Sequence, residues 1–146
     1  MSSIQLRYKD IEPLLAAYTL SLSKKDHLAL RNDKVLFINH ESAFFSYENK
    51  LVPTLHFLLK NSLLKKIVID MGAVKYVISG ADIMRPGVVE IESEIMSGDF
   101  VLIIDVNNKK PLAVGVALFG SAEMREMKTG KVVKNIHYVG DDVWKG

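Results

Sequence analysis

One stretch of the chain, residues 69–89, constrains the fold more than any other. Glycines at Gly72, Gly80 and Gly87 and a proline at Pro86 interrupt it, yet most of its other positions are apolar. Glycine permits positive φ and close approach of the backbone, while proline fixes φ and removes a hydrogen-bond donor. The pattern predicts a short strand, a tight turn at Gly72, one or two turns of helix and corners at Gly80 and Pro86. Such a segment presents main-chain groups to a partner.

The composition is that of a globular protein with one medium domain or two small ones. Of the 146 residues, 49% are hydrophobic and 25% are charged. No apolar run reaches the ~20 residues that a membrane helix requires, and the first residues lack the apolar core of a signal peptide. Cysteine is absent, which excludes disulfides and cysteine-bound zinc. We therefore expect a cytoplasmic protein with no membrane partner.

The charge is distributed unevenly along the chain. Residues 1–66 carry 10 Lys and Arg against 6 Asp and Glu, a balance of +4, whereas residues 67–146 carry 9 against 11, a balance of −2. A net charge of +2 does not by itself indicate a nucleic-acid-binding protein. Any contacts to phosphate must come from local basic patches, so we expect only a modest dependence of binding on salt.

Residues 1–66 predict a small α+β domain. The spacing of apolar residues changes from helical to alternating and back again, and turn-forming Asn, Asp and Glu residues separate the strands. The predicted elements are a helix over residues 10–22, strands over residues 27–31, 35–40 and 43–47, and a second helix that begins at Pro53 and carries Leu55, Leu58, Leu59 and Leu63 on one face.

Residues 67–146 predict a second domain composed mostly of strands. Short apolar runs separated by turn residues are typical of a small closed β-barrel. Alternation over residues 88–92 predicts a half-buried strand, and Ser121 is a candidate N-cap for a short helix. The predicted strands cover residues 67–70, 88–92, 100–106, 112–119 and 131–138, with the short helix over 122–127.

The chain contains no recognisable catalytic constellation. Nucleophile and phosphate-binding motifs are absent, and the four histidines are too far apart in sequence for a metal-ligand spacing. Glu90, Glu92 and Glu94 would share one face of a strand, a pattern more typical of a solvated face than of a hard-metal site. We therefore predict no enzyme activity, no metal and no cofactor.

Basic and aromatic side chains near the predicted loops are candidates for RNA contacts. For each lysine taken alone, solubility is the commoner explanation, and core packing is the commoner fate of a tyrosine. Binding is favoured over these explanations by the density of glycine corners in one segment, since helix N-termini and such corners offer N–H donors to phosphate. The candidates are Lys75, Arg85, Lys109, Lys110, Lys128, Lys131 and Lys134, with Tyr76, Tyr138 and Trp144 for stacking on bases.

Four motifs resemble those of a PUA domain, the RNA-binding module named after pseudouridine synthases and archaeosine transglycosylases. They are GAVKYVISGADIMRPGVV (72–89), KPLAVGVA (110–117), SAEM (121–124) and NIHY (135–138). The earlier motifs DKVLFI, LVPTLHFLL and DMGAVK resemble the malignant-T-cell-amplified-sequence and translation-machinery-associated family, in an archaeal-type member. In that family a pre-PUA domain precedes the PUA domain, which implies a pre-PUA domain over residues 1–66 and a pseudo-barrel PUA domain over residues 67–146.

The resemblance implies a non-catalytic RNA-binding protein that binds tRNA or rRNA. It implies action on the small ribosomal subunit with a separate protein that carries a domain like initiation factor 1. The RNA-binding surface of PUA domains maps here onto Lys75, Ser79, Gly80, Ala81, Asp82, Arg85, Pro86, Gly87, Lys131, Lys134 and His137. Some relatives have an uncharged residue in place of Arg85, which makes a phosphate contact by this side chain less secure.

Three hypotheses for the function remain open on the sequence. The leading one is an RNA-binding adaptor in translation that recognises shape and a single-stranded end. The others are an accessory subunit of a tRNA- or rRNA-modifying enzyme and a protein-interaction module without RNA binding. Under the leading hypothesis, replacing Lys75 and Arg85 with Ala should weaken tRNA binding without changing the melting temperature.

Overall fold

The computed structural model describes residues 3–5, 13, 15–18 and 25–146. The chain divides into two compact units, with the boundary between Leu63 and Leu64. Within the described residues, the first unit contains a five-stranded sheet and the second a six-stranded sheet. Short helices accompany both sheets, which confirms the α+β class predicted from the sequence.

The sheet of the first unit is an antiparallel meander in which each strand pairs with the next along the chain. Its strands are β1 (Ser3–Gln5), β2 (Leu28–Arg31), β3 (Val35–Ile38), β4 (Glu41–Tyr47) and β5 (Lys50–Pro53). Asn32 and Asp33 turn the chain between β2 and β3 with φ of 53° and 56°. Asn and Asp tolerate this left-handed conformation, so the predicted hairpin and the following strand are confirmed.

The helices of the first unit differ from the prediction. Pro53 ends β5, a strand that the sequence analysis missed, and helix α1 (Leu55–Leu58) is only four residues long. Thr54 caps α1, because its Oγ1 accepts a hydrogen bond from the Phe57 amide at 3.2 Å. Leu59 is 59% exposed and so does not share a buried face with Leu55. The predicted helix over residues 10–22 lies mostly outside the described residues; Ala16–Tyr18 form a 3-10 helix.

The second unit is a mixed sheet with strand order β7–β11–β10–β9–β6–β8. Strands β6 and β9 are parallel, and the other neighbours are antiparallel. The strands are β6 (Lys65–Ile69), β7 (Ile83–Met84), β8 (Val88–Ile91), β9 (Phe100–Asp105), β10 (Pro111–Ala117) and β11 (Lys131–Tyr138). The sheet curls around one apolar core that includes Ile67, Ile103 and Val132, which confirms the predicted pseudo-barrel.

Three short α-helices and a 3-10 helix complete the described chain from Leu64 onward. They are α2 (Met71–Val77), the 3-10 helix Arg85–Gly87, α3 (Ser121–Glu126) and α4 (Asp142–Lys145). Helix α2 and the 3-10 helix flank β7, so the glycine-rich stretch forms a compact helix–corner–strand–corner segment. We call residues 69–89 the corner segment.

Three local predictions in this unit were wrong. Gly72 lies inside α2 and makes no turn, because Asp70 starts the helix before it. Val89 and Glu90 are both exposed while Val88 and Ile91 are buried, so β8 does not alternate; the β6–β8 register shifts between Val68 and Ile69. Gly120, not Ser121, is the N-cap of α3, and the Ser121 hydroxyl instead donates to the carbonyl of Glu92 at 2.6 Å.

Candidate nucleic-acid interface

A groove of about 440 Å³ opens beside α2, and every residue that lines it belongs to the corner segment. Its walls are the exposed side of α2, the strand β7 and the 3-10 helix that follows. The lining residues are Asp70, Gly72, Ala73, Tyr76, Val77, Ala81, Asp82, Ile83, Met84, Pro86 and Gly87. Four of the residues predicted to bind RNA therefore line a common cavity, together with the stacking candidate Tyr76: they are Ala81, Asp82, Pro86 and Gly87.

Asp70 fixes the position of α2 at one end of the groove. Its backbone is extended and its Oδ1 accepts a hydrogen bond from the Ala73 amide at 2.9 Å, which makes it the N-cap of the helix. Its own amide donates to the carbonyl of Gly87 at 2.9 Å. A Cβ on Gly87 would lie 3.1 Å from the Cβ of Ala73, so glycine permits the close approach of the two elements.

Large apolar side chains are exposed around the groove. Tyr76 is 59% exposed, Met84 48% and Met71 43%. The Nζ of Lys75 lies 5.1 Å from the centroid of the Tyr76 ring, within the range of a cation–π contact. An exposed ring with a cation over one face is suited to stack on a flat apolar ligand such as a nucleobase through the other face.

The corner at Gly80 follows α2 directly. Gly80 has φ of 97°, and a Cβ there would lie 3.1 Å from the ring of Tyr138 on β11. The exposed Ser79 donates from its hydroxyl to the carbonyl of Lys75 at 2.8 Å. The predicted corner is confirmed, and it presents Ser79 and Ala81 on the surface.

Asp82 connects the corner to β11. Its Oδ1 accepts from the Asn135 amide and its Oδ2 pairs with the Lys131 ammonium, both at 2.8 Å. Burial alone raises the pKa of Asp82, but the hydrogen bonds from Lys131 and Asn135 and the charges of Lys131 and Lys134 outweigh it and lower the pKa below its ordinary value. Asp82 is therefore ionised and joins the corner to β11. Because Asp82 lines the groove, its ion pair holds the Lys131 ammonium beside the groove.

Arg85 acts as a clamp within the fold. Its Nε donates to the carbonyl of Met124 in α3 at 2.8 Å, and its Nη1 donates to the carbonyl of Val88 at 3.1 Å. These two bonds fix the 3-10 helix against α3 and the start of β8. Replacing Arg85 would therefore disturb the fold as well as any RNA contact, and the unchanged melting temperature expected for the double Lys75 and Arg85 variant is not retained.

His137 is the one predicted site residue whose side chain is fully buried. Its side chain is 0% exposed, and its Nδ1 lies 3.0 Å from both carboxylate oxygens of Asp141. Burial raises the pKa of Asp141, but hydrogen bonds from His137 and from the amides of Trp144 and Tyr138 outweigh it and lower the pKa. A fully buried ring offers no surface to RNA, so we correct this prediction and omit His137 from the interface.

The remaining predicted residues lie around the groove or on the neighbouring strand. Pro86 and Gly87 line the groove itself, while Lys75, Lys131 and Lys134 are exposed on α2 and β11. Lys109 and Lys110 lie in the turn between β9 and β10, outside the lining. Sequence analysis missed Asn135 as a structural partner of this site. It also missed Asp70 as the N-cap of α2, although an Asp directly before an apolar helical run is a known signal for a helix start.

Two searches of the described residues bear on other kinds of site. They contain no group of three or more His, Asp or Glu side chains placed to hold a metal ion. None of the helices that they form has the length and apolar character needed to cross a membrane.

Two family models match the chain. The PUA domain matches residues 65–139, about half of the chain, and a domain of unknown function, DUF1947, matches residues 28–61. The matched PUA region contains the whole groove and all of β11.

Relatives extend the similarity over both units. An uncharacterized protein of Methanocaldococcus jannaschii is 42% identical over 80% of this chain and 74% of its own. Translation machinery-associated protein 20 of Eremothecium gossypii is 33% identical, over 84% of this chain and 74% of its own. Malignant T-cell-amplified sequence 2 of Mus musculus is 30% identical, over 98% and 82%.

Solved structures show the same fold. A hypothetical protein from Pyrococcus horikoshii superposes with a TM-score of 0.84 at 29% identity, over 99% of this chain and 98% of that one. A chain of an H/ACA ribonucleoprotein bound to a substrate RNA superposes with a TM-score of 0.54 at 28% identity, over 66% of this chain and 29% of that one. The protein carries a DUF1947 region before its PUA domain, and it therefore belongs to the PUA-domain family, with the translation machinery-associated and malignant T-cell-amplified sequence proteins among its relatives.

Proposed function

We propose that this protein binds RNA in the translation machinery without catalysing a reaction, and that the groove beside α2 holds the RNA. The observation that carries the proposal is the combination of an open apolar groove, an exposed aromatic ring and surface lysines within the PUA-matched region. The names of the relatives support a role in translation. The RNA in the H/ACA ribonucleoprotein structure supports the choice of ligand.

The charges of the groove favour a base inside it and phosphates outside. Asp70 and Asp82 are the charged residues in the lining, and two carboxylates repel a phosphate. Lys75 and Lys134 are exposed on α2 and β11 outside the lining, where they attract the backbone of the nucleic acid. An unstacked base on Tyr76 requires a strand that is free to splay out, which favours a single-stranded end over a duplex.

The proposed partners follow from the family. We propose tRNA or rRNA as the RNA, contact with the small ribosomal subunit, and a separate protein with a domain like initiation factor 1. We place the protein in the cytoplasm, where these partners assemble. Of the residues predicted from the sequence, we retain Lys75, Ser79–Asp82, Pro86, Gly87, Lys131 and Lys134 as the interface, with Arg85 as its support.

A titration with tRNA tests the proposal. Fluorescence anisotropy would be measured with intact tRNA and with tRNA that lacks its 3′-terminal nucleotides, at two salt concentrations. We expect intact tRNA to bind more tightly, and we expect Lys75→Gln to weaken binding by about threefold to tenfold, as for the loss of one phosphate contact. Lys34→Gln, in the exposed β2–β3 turn of the first unit, is the control for a general charge effect. Absence of binding at low salt would overturn the proposal.

A second candidate is an accessory RNA-binding subunit of a tRNA- or rRNA-modifying enzyme. The similarity of the second unit to a chain of an H/ACA ribonucleoprotein favours it. The two candidates share the groove and differ in the assembly that surrounds it. Affinity purification of the tagged protein from its own cells separates them, because the first candidate expects ribosomal subunits and the second expects a modifying enzyme.

A further inference from the structure

Asn135, on β11, makes three hydrogen bonds to the corner between α2 and β7. Its side-chain Nδ2 donates to the carbonyls of Val77 and Ala81, both at 3.0 Å. Its backbone amide donates to Oδ1 of Asp82 at 2.8 Å. One residue therefore holds the last residue of α2 and both residues that lead into β7.

The three residues held by Asn135 all line the groove. The corner between them contains Gly80 in the left-handed region, which packs against the ring of Tyr138 from the same strand. A glycine corner has many alternative conformations, so it needs outside contacts to keep one shape. Strand β11 supplies these contacts through Asn135 and Tyr138, and it therefore sets the wall of the groove.

The second polar atom of the Asn135 side chain shows that these bonds come at a cost. Its Oδ1 is buried and has no hydrogen-bond partner among the described residues. A buried acceptor without a partner is unfavourable, and an aliphatic side chain at the same place would avoid it. The two hydrogen bonds donated by Nδ2 are thus what asparagine provides at this position and an apolar side chain would not.

We propose that Asn135 is a positioning residue for RNA binding, which keeps the corner of residues 77–82 in the shape that accepts the RNA. This inference rests on the RNA-binding function proposed above and adds a residue that does not line the groove. Without the Asn135 side chain, the corner must be ordered again each time RNA binds. The free-energy cost of that ordering makes the binding free energy less favourable, and RNA binds more weakly.

The test compares Asn135→Ala with a matched control, Ser121→Ala. The Ser121 hydroxyl also joins two segments of the second unit, because it donates to the Glu92 carbonyl at 2.6 Å and accepts from the Ile95 amide at 2.8 Å. Ser121 is buried, whereas Asn135 is half-buried, and Ser121 lies outside the groove lining. Both variants lose side-chain bonds to the backbone, and only one of them loses contacts to the corner.

Two quantities would be measured at a temperature at which both variants are folded by circular dichroism. The first is the Kd for intact tRNA. We expect binding to weaken about tenfold in Asn135→Ala, because this variant loses one to two net hydrogen bonds to the corner. We expect the Kd to change by less than about twofold in Ser121→Ala. The second is amide hydrogen exchange at Gly80 and Ala81, whose amides donate to the carbonyls of Val77 and Tyr76. We expect faster exchange there in Asn135→Ala alone.

The outcomes separate the inference from the function on which it rests. If the wild-type protein fails to bind tRNA, the proposed function is overturned, and the positioning role with it. If the wild-type protein binds and both variants lose affinity equally, only the positioning role is overturned. Asn135→Ser, which keeps one donor but cannot reach both carbonyls, replaces Asn135→Ala should the latter not fold, and the same comparison with Ser121→Ala then applies.

Discussion

The strands β9 and β10 and the corner segment belong to the same unit, yet different forces hold them in place. In the two strands, Val101, Ile103, Ala113 and Val114 are all 0% exposed, and the shape follows from apolar burial. In the corner segment, large apolar side chains such as Tyr76 face solvent. Ile69, Val77 and Ile83 attach the segment to the core, and polar groups that bond to the backbone hold the corners between them. The region that is open to a partner is therefore the region that burial alone does not hold in one shape.

The polar groups that hold the corner segment come from three directions. Asp70 caps α2 from within the segment, Arg85 bonds to α3 and β8, and Asn135 bonds from β11. Each such bond contributes about 0.5–1.5 kcal/mol net, far less than a buried aliphatic side chain that leaves a cavity when truncated. Substitutions in the two regions should therefore differ in the size of their effect on stability and in their effect on binding.

The largest loss of stability is expected for Ile103→Ala in the middle of β9. Ile103 is fully buried in the core of the second unit, so truncation removes apolar contacts and leaves a cavity. We expect the free energy of unfolding to fall by about 2–5 kcal/mol, measured by urea denaturation. Val89→Ala, at a position that is 55% exposed, is the control and should change it by less than about 0.5 kcal/mol. Equal effects of the two variants would contradict the assignment of the core.

A smaller loss is expected for Arg85→Met, which removes the clamp but keeps an extended apolar side chain. The carbonyls of Met124 and Val88 lose their charged donors, so we expect the free energy of unfolding to fall by about 1–3 kcal/mol. Lys75→Met, on the exposed face of α2, removes the same charge without any such bond and should leave stability within about 0.5 kcal/mol. An unchanged melting temperature in Arg85→Met would show that the clamp contributes nothing.

The comparison also explains which features the sequence could predict. The hairpin of β9 and β10 and the strand β11 were found to within two residues, because apolar runs and the turn residues between them are local signals. The clamps were not found, because they join distant positions. Arg85 and Met124 are 39 residues apart, and Asn135 and Val77 are 58 apart. No spacing rule within one sequence relates such pairs.

His137 illustrates a further limit of sequence patterns. Strict alternation along β11 would place His137 on the same face as the exposed Lys131. The strand is instead irregular, with register shifts against β10 between Val114 and Gly115 and against β7 between Lys131 and Val133. Each shift changes which side chains face the core, so the histidine is buried beside Asp141 while the lysine stays exposed.

The contact between the buried His137 and the half-buried Asp141 should make stability depend on pH under acidic conditions. The folded-state pKa of Asp141 is lowered, so between that pKa and the unfolded value of about 3.9 the unfolded chain binds more protons. Its contribution is therefore fully present above about pH 4 and is lost as the pH falls through the folded-state pKa. We expect Asp141→Asn to lower the free energy of unfolding by about 1–2 kcal/mol at neutral pH. In this variant the free energy of unfolding should also fall less steeply as the pH decreases below about 4.

Urea denaturation from pH 7 down to pH 3 measures this effect. Asp142→Asn is the matched control, because it removes a neighbouring carboxylate that is exposed at the start of α4. If the free energy of unfolding of Asp141→Asn falls as steeply with decreasing pH as that of the wild-type protein, the Asp141 carboxylate is not the cause of the pH dependence.

The smallest change in stability is expected for Tyr76→Ala, which is also the sharpest test of the contrast between the two regions. Tyr76 is 59% exposed, so its removal should alter the free energy of unfolding by no more than about 0.5 kcal/mol. If a base stacks on its ring, the same change should weaken tRNA binding by about 1–3 kcal/mol, or roughly fivefold to 150-fold. Tyr76→Phe keeps the ring and should bind nearly as well as the wild-type protein. Retained affinity in Tyr76→Ala would mean that the exposed ring serves something other than stacking, since neither burial nor a clamp accounts for it.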